Sequence, residues 1–477
     1  MNMLRSCLLA ALALTLGLTL AGPARGEFTL SQLTESVGGG SPNFGPQIAA
    51  GGGILAFSSD RDLTGENSDS SSEIFRWVDG AGLTQLTDGT ACHSSDVGIS
   101  DDGKRVVFNS TCDLVGQNAD GSREVFLWTQ GSALVQLTTT SSGGGTYSPA
   151  ISGDGHRVAF SSDEDLTGNG NGPQVAAFLW VEGAGLSRLT NGAGETFDAE
   201  VDRDGRKIAF ASDGDFVGQN SDRSVEVFVW SEGAGLKQLT KATGGGSSRP
   251  SMSDDGSRIA FESDRNLTGE NATLTEQIFL AQPSGLSQLT HGPNTFTRMA
   301  SLDGPGTAMA FSSNGNPLGT NAAGVEQIFR WTSSGPLVQI TRSSGGSTRR
   351  PSIANGGGRI AFDSNADLSG HNADQNTEIF LARQPAPAAP SQLAAQIQNR
   401  RQVRLTWKDN AHDETKYEVE LRAGAKPFVL VATLGPNAKA FELKNLEPKT
   451  RYVARARCRN SGGRSAPARV DFATPRR

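Results

Sequence analysis

After the first 26 positions, apolar residues come in short bursts. "RVAFSS" (157–162), "RIAFES" (258–263) and "EVFLW" (124–128) each hold three or four apolar residues flanked by polar ones. Bursts of this length, bounded by Asp, Gly, Ser and Asn, predict β-strands. No stretch beyond the amino terminus keeps the 3.6-residue period of a helix.

The bursts recur. The "AFSSD" phenylalanine returns as Phe57, Phe108, Phe160, Phe210, Phe261, Phe311 and Phe362. The "IFRW" phenylalanine returns as Phe75, Phe126, Phe178, Phe228, Phe279, Phe329 and Phe380. Both series step by 50 to 52 residues. Each unit reads as four strands, "xPxIS", "RIAF", "EIFLW" and "LxQLT", with an Asp-Gly turn between the first two and "EGAGL" between the last two. Four antiparallel strands repeated radially is the β-propeller plan. A third series, Leu33, Leu86, Leu137, Leu189, Leu239, Leu289 and Ile340, also has seven members but is displaced: one copy precedes the first unit and none follows the last. The displacement has a mechanical use. Residues 27–34, "EFTLSQLT", supply the outer strand that the seventh unit lacks, so the ring closes with no free blade edge. A linear solenoid gives no reason for the offset. The expectation is an all-β chain with a seven-bladed propeller over 27–384, its paired Phe residues and Trp77, Trp128, Trp180, Trp230 and Trp331 packing the blades.

"SPAISGDGHRVAFSS" (148–162), "RPSMSDDGSRIAFES" (249–263) and "RPSIANGGGRIAFDS" (349–363) resemble the Pro-Asp-Gly type of WD-like repeat found in TolB-like propellers. The resemblance implies a fold and leaves function open, because such propellers host scaffolding, ligand binding and, when fused to other domains, enzymes.

These units are longer than a plain blade, and the excess lies between the second and third strands, as in "SSDRDLTGENSDSSSEIFRW" (58–77). There Asp60, Asp62, Asn67, Asp69 and Glu73 offer five hard oxygen ligands in one loop, which makes calcium the candidate cofactor, although none is required by the reading. Blades two, four and seven keep much of the set: Asp113, Asn118, Asp120 and Glu124; Asp213, Asp215, Asn220, Asp222 and Glu226; Asp367, Asn372, Asp374 and Glu378. Blades three and six lose several carboxylates, and the spacing is not that of an EF-hand. The competing reading is a long connection whose Asx side chains cap nearby backbone groups.

The opening "MNMLRSCLLAALALTLGLTLAGPARG" has one early positive charge, a short apolar run and small residues, and predicts a signal peptide over 1–26 with a periplasmic or secreted product. No second apolar stretch predicts a membrane span. Export permits disulfides. Between Cys92 and Cys112 lies the turn signal Asp101-Asp102-Gly103; a hairpin folded about residue 102 sets the two cysteines opposite each other, predicting a Cys92–Cys112 bond. Cys458 is left over.

Charge divides the chain. From residue 390 onward the balance is +10, and from 27 to 389 it is −19. The acidic body argues against a nucleic-acid ligand, since phosphate contacts need a basic face. After the linker "PAPAAPS" (385–391), residues 392–477 alternate as strands of a sandwich domain. Trp407 and Leu446-x-Pro448-x-Thr450-x-Tyr452 resemble a fibronectin type III domain, which implies Trp407 in its core and Tyr452 at the tyrosine corner.

The histidines, His93, His156, His291, His371 and His412, do not recur at equivalent positions, and neither a metal-binding His pair nor a G-x-S-x-G elbow is present. The favoured function is therefore an exported, non-catalytic, monomeric binding scaffold for a protein of the cell envelope or extracellular space. The partner is expected to be basic and to meet the face that carries the long loops. The alternative is a secreted polysaccharide-active or hydrolytic enzyme with its site on the propeller axis.

Overall fold

A computed structural model describes residues 28–38, 42–141, 143–168, 174–293 and 295–476. The predicted signal segment lies outside the described residues. No helix among them is long and apolar enough to cross a membrane.

Seven four-stranded antiparallel sheets follow one another, each an up-and-down meander in six cases: the first comprises Asn43–Ile48, Ile54–Ser59, Glu73–Val78 and Gly82–Gln85. The seventh takes its outer strand from the amino terminus. Thr29–Gln32 pairs antiparallel with Glu378–Arg383, in the register Thr29↔Arg383 to Gln32↔Phe380. The threonine of the "QLT" series shows why the register is specified. Its Oγ1 accepts the N–H of the residue after the start of the third strand in every blade, as in Thr87 from Ile74 and Thr240 from Val227, both at 2.9 Å. Thr34 makes the same bond from Ile379 at 2.9 Å, so the closing strand repeats the geometry of the other six.

The two phenylalanine series stack in all seven blades, with ring centroids 5.6 to 5.9 Å apart. They belong to apolar clusters that join neighbouring blades, such as Phe57 and Phe75 with Ile379 and Leu381. The tryptophans differ from expectation. Trp77 is buried, whereas Trp128, Trp180, Trp230 and Trp331 are half-buried against the cluster edges. They stand at the far end of the third strand, where the indole covers the core with one face; Arg76 lies over Trp128, its guanidinium 5.6 Å from the ring centre.

Each innermost strand carries a β-bulge, with a residue in the left-handed region at the same place: Gly45, Asp96, Ser148, Asp198, Arg249, Met299 and Arg350. In four blades proline follows. The innermost strand has a partner on one side only and borders the axis, so a missing N–H is tolerated there.

The tail forms two facing sheets, one of three strands and one of five. Trp407 is buried with its ring 5.6 Å from Tyr417, and the Tyr452 hydroxyl accepts the Glu447 N–H at 2.8 Å, closing a tyrosine corner. The domain stands on the tight-turn side of blade seven. The amide oxygen of Gln384 accepts from Arg330 (2.9 Å) and Ser461 (2.6 Å), and its nitrogen donates to Asp413 (3.1 Å). Gly358 lets Ser461 approach: a Cβ there would come within 2.7 Å of the Ser461 backbone.

Candidate functional site

The tight turns all lie on one side of the disc. The long second-to-third loops and the blade-to-blade connections lie on the other, and hydrogen bonds weld them together. The Ser72 carbonyl accepts from Ser94 (2.7 Å), that of Arg123 from Thr146 (2.9 Å) and that of Val225 from Ser247 (2.8 Å), so each third strand begins by holding the next blade.

Within the loops, the recurring Asn is a buried rivet. Asn67 Nδ2 donates to the Ser71 carbonyl at 2.8 Å while its own N–H is capped by Asp62 at 3.0 Å. Asp113 with Asn118, Asp215 with Asn220, and Asp367 with Asn372 repeat the cap at 2.8, 2.9 and 3.1 Å. In blades five and six an asparagine does the same work: Asn266 caps Asn271 at 2.8 Å and Asn316 caps Asn321 at 2.7 Å. The acceptor oxygen matters here, and the charge does not.

The glutamates are latches. Glu73, Glu124, Glu226 and Glu378 are buried. Glu124 accepts from the Thr138 hydroxyl, the Thr140 N–H and hydroxyl, and the Ser122 hydroxyl at 2.8 Å. Burial pushes the Glu226 and Glu378 carboxyls above the ordinary glutamate range, against the pull of those donors. Gln277 and Gln327 replace the glutamate in blades five and six and keep the threonine bond, at 2.8 and 2.7 Å.

The calcium candidates are therefore divided among different tasks. Asp60 faces the Arg61 guanidinium (3.4 Å), Asp62 caps a backbone N–H, Asn67 is a rivet, and Asp69 accepts from Ser71 (2.9 Å). Glu73 is enclosed by the hydroxyls of Ser71 and Thr87 and the Gly89 N–H (2.7 Å). Among the described residues no group of three His, Cys, Asp or Glu side chains is placed to hold a metal ion. What the loops do present is exposed negative charge: Asp62, Asp69, Asp113, Asp120, Asp222 and Asp374 face solvent. The Ser71, Ser122 and Ser224 hydroxyls hold Asp69, Asp120 and Asp222 below the usual carboxylate range. Cys92 and Cys112 are joined on this same side, with Cα atoms 5.2 Å apart, tying the connection into blade two to the long loop of that blade.

The axis holds a second set of charges, which sequence reasoning missed. At its long-loop end the bulge arginines reach buried acids: Arg249 meets Glu262 and Arg350 meets Asp363 at 2.9 and 2.8 Å, while Arg298 (3.0 Å) and Arg349 clamp Glu326. Burial raises the Glu262 carboxyl to about 7 despite Arg249, and raises Asp363. Toward the tight-turn side lies a narrow cavity of about 140 Å³, lined from all seven blades and including Glu200, Asp101, Arg203 and Asp254. No histidine lines it. Only alignment of all seven innermost strands would have drawn these residues together.

The tail can be placed by sequence. Residues 388–471 match the fibronectin type III domain family. No curated protein matches the chain. Among solved structures, the chain is similar to the β-propeller domain of the Trilobed protease from Pyrococcus furiosus, at 11% identity and a TM-score of 0.48 over 76% of this chain and 96% of that one. TolB from Acinetobacter baumannii is 15% identical, with a TM-score of 0.38 over 70% and 65% of the two chains. An FN3 domain of human collagen XX matches at 24% identity, with a TM-score of 0.17 over 18% of this chain and 91% of that one.

Proposed function

We propose that the protein is a binding scaffold working outside the cytoplasm, and that its long-loop face captures a basic protein partner. The observation that carries this reading is the division of the disc. The long loops ring one face with solvent-facing aspartates on a hydrogen-bonded frame, while the fibronectin-type domain stands on the other face and leaves the first one free. Loops held by a rigid scaffold are where binding groups concentrate, and a negative face steers positive partners. The Cys92–Cys112 bond supports an oxidising compartment.

The natural asparagines at 266 and 316 supply the test. Asp62, Asp69, Asp113, Asp120, Asp215 and Asp222 changed together to Asn keep the caps and remove six charges. Capture of a partner from envelope extract should fall, and capture by the unaltered protein should weaken as salt rises. A parallel arm in EDTA reads any requirement for calcium. Capture that survives the Asn changes, but is lost when the tight-turn face or the tail is altered, puts the partner on the wrong side of the disc for this reading.

A further inference from the structure

The axial cavity is built in tiers, because each innermost strand runs from the long-loop face to the tight-turn face. At the tight-turn mouth stand Asp101, Arg203, Asp254 and Asn355; next comes an apolar collar with one side chain from every blade, among them Ile151, Val201 and Leu302; beyond it lies a polar tier of Gln47, Glu200, Ser251, Ser301 and Ser352. The serines are occupied. Their Oγ atoms accept N–H groups of the next blade, Leu302 at 2.9 Å, Ile353 at 3.2 Å and Ile48 at 3.0 Å. Glu200 stands in the same tier, where blades two and three have only Gly98 and Ala150. The half-buried Glu200 lines the cavity, and the Met252 N–H is the one group that favours its charge.

The mouth is also unbalanced. Arg203 Nε is held by Asp101 at 3.0 Å across Gly153, whose missing side chain leaves room for the pair. The Asp254 carboxylate lies over Gly304, and its charge is offset only by the Arg203 guanidinium that Asp101 already holds. Three carboxylates therefore face one guanidinium: Asp101 and Asp254 share Arg203 at the mouth, and Glu200 stands at the floor beyond an apolar tier. By the rise of a strand, the mouth and floor tiers are roughly 10 Å apart, about the reach of an extended diamine with a four- to six-carbon stem. A point cation satisfies only one end of this arrangement, and a linear chain with two ammonium groups satisfies both.

We propose that the axial cavity receives a linear alkylammonium ligand through the tight-turn face, with one ammonium on Glu200 at the floor and a second donor on Asp254 at the mouth. The methylene stem lies in the apolar collar. A free diamine supplies both as ammonium groups, whereas a lysine residue supplies one ammonium and offers a backbone N–H as the second donor. The cavity disfavours uncompensated negative charge: burial raises the Glu200 carboxyl to about 7, and burial with repulsion from Asp101 raises Asp254 against the pull of Arg203. Entry of an ammonium requires the ionised carboxylate. Affinity should then rise about tenfold from pH 6 to pH 8 as Glu200 loses its proton; Asp101, Arg203 and Asp254 are the other charged groups facing the cavity.

Calorimetric titration of the full-length mature protein with 1,4-diaminobutane and 1,5-diaminopentane tests this, alongside butylamine, ethylenediamine and Nα-acetyl-lysine methylamide. The two longer diamines should bind at least tenfold more tightly than butylamine or ethylenediamine. Tighter binding of the lysine derivative than of either diamine would assign the site to a protein side chain. Glu200→Gln should lower affinity at least tenfold and abolish the pH dependence. Glu200→Ser should do the same and puts at this place the residue that blades five, six and seven carry, so a folding defect in the first variant does not obscure the result. Diamine affinity unchanged in both variants, or no heat and no melting shift with any of the amines at millimolar concentration, overturns the proposal.

Discussion

Replacing the Glu124 latch in two ways separates hydrogen bonding from charge. Glu124→Ala leaves the Thr140 N–H, which now bonds to Glu124 Oε1, without an acceptor in a buried place. A buried donor left unpaired costs about 1–3 kcal/mol, and the space vacated by the carboxyl adds about 1–2 kcal/mol. The hydroxyls recover in part, because Ser122 already lies near Asp120 (2.9 Å) and Thr138 still accepts the Val125 N–H (2.8 Å). The total loss is about 2–5 kcal/mol. Glu124→Gln should cost less than about 1 kcal/mol, since Gln327 in blade six receives the Thr341 hydroxyl at 2.7 Å and donates to the Ser343 carbonyl at 2.9 Å. If the propeller melts as one unit of some 350 residues, at about 2.1 cal/mol/K per residue, the alanine variant should melt about 3–7 °C lower and the glutamine variant within about 2 °C of the parent. Differential scanning calorimetry of the three proteins decides. Equal melting of the two variants would show that the carboxylate charge, and not its acceptor oxygens, holds the loop.

Thr34→Val should loosen the closing strand, because it removes both the acceptor for the Ile379 N–H and a donor to Glu378; hydrogen exchange should rise in 378–383 and stay unchanged in blade three. Serine at both Cys92 and Cys112 should lower stability by about 3 kcal/mol at most for a 20-residue loop, and finding both thiols open to alkylation in the oxidised native protein would show that no bond forms. Glu200 and Glu262, raised to about 7 by burial, hold their protons more tightly folded than unfolded. Their contribution is complete below about pH 4.5 and disappears as pH rises through 7, so the protein should melt higher at pH 5 than at pH 8. Glu200→Gln should remove up to about 3 kcal/mol of that slope. Asp255, drawn down to about 2 by the Ser257 N–H and the Ser253 and Ser257 hydroxyls, works in the opposite sense and weakens the fold only as pH falls toward 2.

The strands, their sevenfold count and the borrowed outer strand were legible because they depend on local burial and on a repeat that a linear chain displays openly. Phe57 and Phe75 stack where the spacing placed them. The long loops were legible as oxygen-rich segments, but the row Asp62, Asn67, Asp69, Glu73 does not show which oxygens turn inward. Glu73 disappears beneath Thr87, Asp69 faces solvent, and the oxygens of one loop divide their hydrogen bonds among a cap, a rivet and a latch. The bulges left only a partial sign: proline follows in four blades, but Gly45, Asp96, Ser148, Arg249 and Met299 share neither charge nor shape. What they share is a backbone conformation forced by an extra residue in the innermost strand. The axial tiers were illegible for a different reason: Asp101, Glu200 and Asp254 become neighbours only when the ring is whole.

The closing strand also sets a clock. Thr29 meets Arg383 across 354 residues, so the first strand to be made must wait for nearly the last. At about 5–20 residues per second that wait is on the order of 20–70 s, against the microseconds to milliseconds in which a local hairpin forms. For all of that time the amino-terminal strand is an unpaired edge carrying Phe28, Leu30 and Leu33. Blades one to six can assemble from contacts within about fifty residues of one another, whereas closure comes last and all at once. The rate of that single event, rather than the stability of any blade, governs how long the unfinished ring is open to pairing with another chain.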